Sequence, residues 1–211
     1  MNDIFSMDNA FFRFVGKVTD LVWLNILTLI CCIPIFTMGA AISAMYHVLI
    51  KMVLREEGSV TKPFFKEFKG NFKKATMVWV PALLVLLAMF GNIYLIYQGI
   101  LDPYPKLRIV AGVSIGIIAG AIIIFLNYYF ALLARYENEV KQVMKNALLM
   151  MMAYLPRSLC ILAILLFPLA LMTLSDYFLI FWFIYGLSFP GYVNAMMLGG
   201  LFTKTEEVSS N

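Results

Sequence analysis

Pro34 interrupts an apolar run that begins at Leu21. Proline removes a backbone donor and disfavours helix at the residue before it, so the first helix must end here. Thr37 is placed to cap a new helix, and Gly39 allows two backbones to approach closely. Helical spacing then resumes. Ala40, Ala44 and Val48 share one face, while Ser43, His47, Lys51 and Arg55 succeed each other at i, i+4 on another. The stretch Ile33–Lys51 predicts a tight helical hairpin inside a membrane, with the chain's single histidine on the returning arm.

Composition agrees with that environment. Of 211 residues, 63% are apolar and 13% charged, against about 45–50% and about 25% in soluble domains. The expected class is an all-α polytopic membrane protein, one membrane domain over residues 1–204. Inside lipid, close packing and small residues must hold such a bundle together. The net charge of +4 fits the positive-inside rule better than a basic surface for nucleic acid, and no nucleic-acid partner is expected. Cys31, Cys32 and Cys160 lie in apolar runs and read as small buried hydrophobes. The first apolar run exceeds a signal-peptide core and continues as helix past Ala44, so it is expected to be retained.

Taken in order, residues 3–18 place Ile4, Met7, Phe11, Phe14, Val15 and Val18 on one face, as in an amphipathic helix on the membrane surface or a frayed start of the first span. The spans are expected at about 18–37, 38–54, 75–98, 107–131, 158–174 and 177–198. The two hairpin arms are short for a full crossing of about 20 residues, which leaves a re-entrant arrangement open. Between the second and third spans, Phe64, Phe65, Phe68 and Phe72 recur among lysines, as in an amphipathic helix on anionic lipid or a docking helix. Pro190-Gly191 interrupts the sixth span, and residues 205–211 form a polar tail. With six crossings, all but Lys106 and Arg108 of the 16 lysines and arginines lie on one side. Both termini are therefore expected in the cytoplasm, in a multi-pass protein of the cell membrane.

No catalytic constellation, cofactor motif or metal-ligand spacing is present, and the chain is expected to be non-enzymatic. The polar residues within spans are Asn25, Ser43, His47, Asn92, Ser114, Asn127 and Asn194. Such groups face a bundle interior, pair across helices or mark a pathway. Asn25 and His47 lie on the two arms of the hairpin and are placed to meet, with Asn194 a second candidate partner for the histidine. Pro34, Gly39, Pro190 and Gly191 mark helix breaks. Gly112, Gly116 and Gly120 form a stripe that admits a neighbouring helix, either within the chain or from another subunit.

Several of these motifs together resemble one family. Pro34, Thr37, Gly39 and Ala44-Met45-Tyr46 are followed by Lys51, Arg55-Glu56-Glu57-Gly58-Ser59 and the run Phe64–Lys73. Further on come Ala134-Arg135-Tyr136, Lys145-Asn146-Ala147-Leu148 and Leu187-Ser188-Phe189-Pro190-Gly191-Tyr192-Val193-Asn194. Over residues 9 to 204 this resembles the YesL (DUF624) family of Gram-positive membrane proteins. The resemblance implies an association with binding-protein-dependent sugar importers and glycan-degrading enzymes, and supplies no reaction or binding residues. Two functions stay open: an accessory or assembly component beside the membrane subunits of an importer, or a small stand-alone transporter for a saccharide or amphipathic molecule. The lipid bilayer is a partner in either case; oligomeric state is left open.

Overall fold

The computed structural model describes residues 10–54, 58–100, 103–136, 138–172 and 185–209. Among them every regular element is a helix. Helix α1 is Ala10–Cys32, a 3-10 turn covers Ile35–Thr37, and α2 is Met38–Val53. They are followed by α3 (Thr61–Tyr97), α4 (Pro105–Arg135), α5 (Val140–Ala153), α6 (Leu155–Met172) and α7 (Ser188–Ser209).

The returning arm of the hairpin is the centre of the bundle. Helix α2 packs against α1, α3, α4 and α7. Ala40, Ala41, Ala44 and Leu49 are fully buried, and Met45, Tyr46, Val48 and Ile50 nearly so. A helix that is apolar and small on almost every side has no face to leave outside. Gly39 lies against α3 and α4, and Gly191 of α7 lies against Met45 and Leu49.

Helices α3 and α4 have opposite ends in different environments. Near the lysines, Phe64, Ala75 and Trp79 of α3 are buried, as are Asn127 to Ala134 of α4. At the far end Leu84, Phe90 and Tyr97 of α3, and Ile109, Val113 and Ile117 of α4, are exposed apolar surface. Lipid tails are as apolar as leucine, so a bilayer accommodates this surface without protein cover. At 37 and 31 residues, the two helices are about 55 and 46 Å long, well beyond the roughly 30 Å hydrocarbon core.

Among the described residues, four helical stretches are long and apolar enough to cross a membrane: Val15–Cys32, Ile35–Val53, Thr61–Tyr97 and Pro105–Arg135. Helices α5 and α6 make a fifth if their pair, bent by 100°, is one span. Of the expected sixth span, 177–198, the first eight residues lie outside the described residues, as do residues 1–9, 55–57, 101–102 and 173–176.

Several boundaries differ from expectation. The described part of the surface helix, from Ala10, continues without a break into the first arm as α1. The phenylalanine-lysine segment is not a separate surface helix but the first third of α3, with Pro81 inside the same helix. Its aromatic face turns inward: Phe64 is fully buried, stacks on Phe68 with ring centroids 6.3 Å apart, and Phe68 and Phe72 pack on the core. Packing against α2 outweighs the pull of an anionic interface. Pro190-Gly191 is likewise no interruption. A turn at Gly186-Leu187 precedes α7, and Pro190 occupies its first turn, where a missing N–H costs nothing. Among the described residues the glycine stripe is largely open. A Cβ at Gly112 or Gly116 would meet nothing within 4 Å among the described residues, and one at Gly120 would meet only Leu162 at 3.3 Å. Cys160 is exposed and Cys31 and Cys32 half-buried; all three are free thiols.

Candidate functional site at the buried helix ends

The polar residues of the spans form local junctions, not one cluster. A buried helix end leaves up to four N–H or four C=O groups without intrahelical partners, and these must find others. Here side chains from neighbouring helices supply them.

The first junction is the hairpin turn. Thr37 is positioned as the cap of α2 but makes no bond to that helix. Its hydroxyl points back to the carbonyls of Cys31 (2.5 Å) and Pro34 (2.6 Å), satisfying the end of the arm just finished. Trp79 of α3 donates its indole N–H to the Ile35 carbonyl at 2.8 Å, tying the turn to the third helix.

The second junction is the start of α7. Asn25, fully buried in α1, accepts from the backbone N–H groups of both Leu187 and Ser188 at 3.0 Å. It acts as an N-cap supplied by another helix. Asn25 and His47, placed to meet by their positions on the hairpin, bind different helices instead.

The third junction is the end of α4. His47 Nδ1 lies 2.9 Å from the Ala134 carbonyl, which can only accept, so Nδ1 carries the proton. Asn71 of α3 donates to the Leu133 carbonyl at 3.2 Å and also to Glu67. Glu67 Oε2 in turn lies 3.8 Å from His47 Nδ1. Two of the four terminal carbonyls of α4 are thus closed by side chains from α2 and α3. Donors at a helix C-terminus also suit its dipole. Glu67 and Asn71 were not among the expected site residues. Their signal was available: Glu67 is the only acid in α3, and Asn71 follows it by one turn.

Deeper in the core, Asn127 donates to the Tyr46 hydroxyl at 2.6 Å. Asn194 approaches the same hydroxyl from α7 without hydrogen-bonding alignment. Both of its amide atoms, Ser43 Oγ and Asn127 Oδ1 are buried without hydrogen-bond partners among the described residues. Asn92 and Ser114 lie apart from these junctions on exposed faces, each bonded to the carbonyl four residues earlier in its own helix.

Residues 21–93 match the family model described as "Protein of unknown function, DUF624". The match covers part of the chain, and over that segment the chain is similar to the DUF624 family. It is also similar to the "Uncharacterized protein YteU" of Bacillus subtilis (strain 168), with 27% identity over 147 residues. That match covers 69% of this chain and 63% of the relative, so the likeness spans under two thirds of the relative's length. No solved structure matches. The DUF624 segment holds the hairpin, its turn and most of α3, and so contains Asn25, Thr37, Gly39, His47, Glu67, Asn71 and Trp79. The helix ends that Asn25 and His47 close, on α7 and α4, fall beyond it. The segment that resembles DUF624 therefore presents side chains that fix the other helices.

One expected result tests the third junction. Replacing His47 with leucine orphans the Ala134 carbonyl and should destabilise the protein by about 1–3 kcal/mol. Replacing it with glutamine, which keeps a donor of similar reach, should cost less than about 1 kcal/mol. Thermal unfolding of both variants in detergent checks this; equal stability of parent and His47→Leu would show that the contact contributes nothing.

Proposed function

We propose that this protein is a non-catalytic integral membrane component that accompanies a binding-protein-dependent importer of oligosaccharides and supports the assembly of its membrane subunits. The observation that carries the non-catalytic, structural part is the destination of the buried polar groups. Asn25, Thr37, His47 and Asn71 bond to the backbone at helix ends and turns, which makes a fixed body of α1 to α4 and α7. The family resemblance supplies the importer. The bundle would sit in the cell membrane with its lysine-rich end and both termini in the cytoplasm, because 14 of the 16 basic residues then share one side on six crossings.

A second reading, a small stand-alone transporter, draws on a different observation. Asn194, Ser43 and Asn127 Oδ1 are buried polar groups on α7, α2 and α4 without hydrogen-bond partners among the described residues, as groups lining a path would be.

One preparation separates the readings. A C-terminal affinity tag on the full chain, expressed in a glycan-grown Gram-positive host and extracted in mild detergent, should bring down the membrane subunits of a sugar importer in near-stoichiometric amounts. In intact cells the same tag should resist external protease. Purification free of importer subunits, from a strain whose glycan uptake still depends on the protein, would favour the transporter. Cleavage of the tag from outside would reverse the orientation.

A further inference from the structure

A crevice of about 820 Å³ opens between α3, α4 and α5 on the outer side of the bundle. Its wall is apolar, with Val78, Ala82 and Val85 from α3, Phe125 from α4 and Met144 from α5. Its charged lining residues are Lys74, Lys141 and Glu139. They are gathered at one end. Lys74 precedes Val78 by one turn on α3, and Glu139 and Lys141 flank the first residue of α5.

We propose that this crevice holds one anionic phospholipid, with an acyl chain along the apolar wall and the phosphate at the two lysines. Three features identify this occupant. First, polarity is segregated along the length rather than scattered, which matches a molecule with one charged head and an apolar body. Second, the wall from Lys74 to Val85 covers eleven residues of helix, about 16 Å, close to the roughly 15 Å depth of one leaflet's hydrocarbon. Third, among the described lining residues two lysines and one glutamate leave one net positive charge, the complement of a single phosphodiester. The ammonium of Lys74 is fixed at the mouth by donation to the Asn138 carbonyl at 3.2 Å, and an ammonium has two further donors to offer. Basic pockets between membrane helices take lipid head groups in this way. A soluble sugar would find few polar partners along the wall, and a second protein helix would leave the lysines facing its apolar side.

The test uses the purified full chain in detergent. Native mass spectrometry is run with phosphatidylglycerol and with phosphatidylcholine of the same acyl chains. One phosphatidylglycerol should be retained per chain, in preference to phosphatidylcholine. Each lysine is worth about fivefold in affinity, so the double variant Lys74→Gln/Lys141→Gln should bind roughly 25-fold more weakly. Val85→Trp, which fills the exposed apolar wall, should also lose the adduct, while Lys106→Gln on the opposite end of the α3–α4 pair should keep it. Melting temperatures of all variants confirm folding. Equal retention of the two lipids, or an adduct that survives both Val85→Trp and the double lysine variant, would overturn the proposal.

Discussion

Gly39→Ala should lower stability by about 2–3 kcal/mol, and Gly39→Leu should leave little folded protein. Alanine ordinarily gains about 1 kcal/mol over glycine inside a helix. Here the sign is reversed by space. A Cβ at Gly39 would lie 2.7 Å from Trp79 Cβ and 3.1 Å from Phe130 Cζ. The Trp79 Cβ is fixed to its backbone and cannot swing aside, and the same side chain is held by its bond to Ile35. Relief requires α2 to move away from α3, and overpacking of this kind costs about 1–3 kcal/mol beyond the propensity gain. Larger side chains add to it. Gly116 provides the comparison, because a Cβ there meets nothing within 4 Å. Gly116→Ala should be neutral or stabilising by up to about 1 kcal/mol, and Gly116→Leu close to neutral. Thermal unfolding in detergent should place the Gly39→Ala protein about 5–10 °C below the parent, with the Gly116 variants beside it. A Gly39→Ala protein as stable as the parent would refute the close approach. A strongly destabilised Gly116→Leu protein would show that the open stripe is covered by another helix after all.

The second large effect is expected at Asn25. Its side-chain oxygen accepts both the Leu187 and Ser188 N–H groups at the start of α7. Leucine has nearly the same volume, so Asn25→Leu leaves the space filled and removes the amide, and with it the acceptor for both N–H groups. Each buried donor without a partner costs about 1–3 kcal/mol, and the two together should destabilise by about 2–4 kcal/mol. Asn25→Asp keeps the acceptor and places a negative charge where the dipole of α7 favours it, but burial of the charge opposes this. Its stability should fall between parent and leucine variant. The readout that separates a cap from ordinary core packing is local. Hydrogen exchange at the first turn of α7 should accelerate more than exchange in α2 or α3. Uniform acceleration across the bundle would argue that Asn25 acts through packing alone.

Both effects arise at positions that the sequence marks, through contacts that it does not disclose. Gly39 is recognisable as a site of close approach because glycine five residues after a proline, at the head of a small-residue helix, has little other purpose. That its neighbours are Trp79 and Phe130 is a matter of how α3 and α4 cross α2. Asn25 stands out as an amide in an apolar run, a group that must bond to something. Its partner lies 162 residues away, and the partner of His47 87 residues away.

The sequence by itself determined the helical class, the apolar character of the helices, the turn at Pro34 and the small-residue face of α2. Each follows from local chemistry: apolar runs that fold as helices, a proline that ends one, and small residues at i, i+4 spacing that admit a neighbouring helix. The tertiary structure decided the rest. It joined the phenylalanine-lysine segment to the following apolar run in one helix, turned most of the aromatic face inward, left the glycine stripe largely open among the described residues and sent Asn25 and His47 to different helix ends. Periodicity tells which residues share a face of a helix but not what that face meets. Unpaired backbone groups at one helix end look the same in sequence as those at any other. Which side chain closes them is fixed only when the helices have packed and one donor or acceptor stands within 3 Å of the group that needs it.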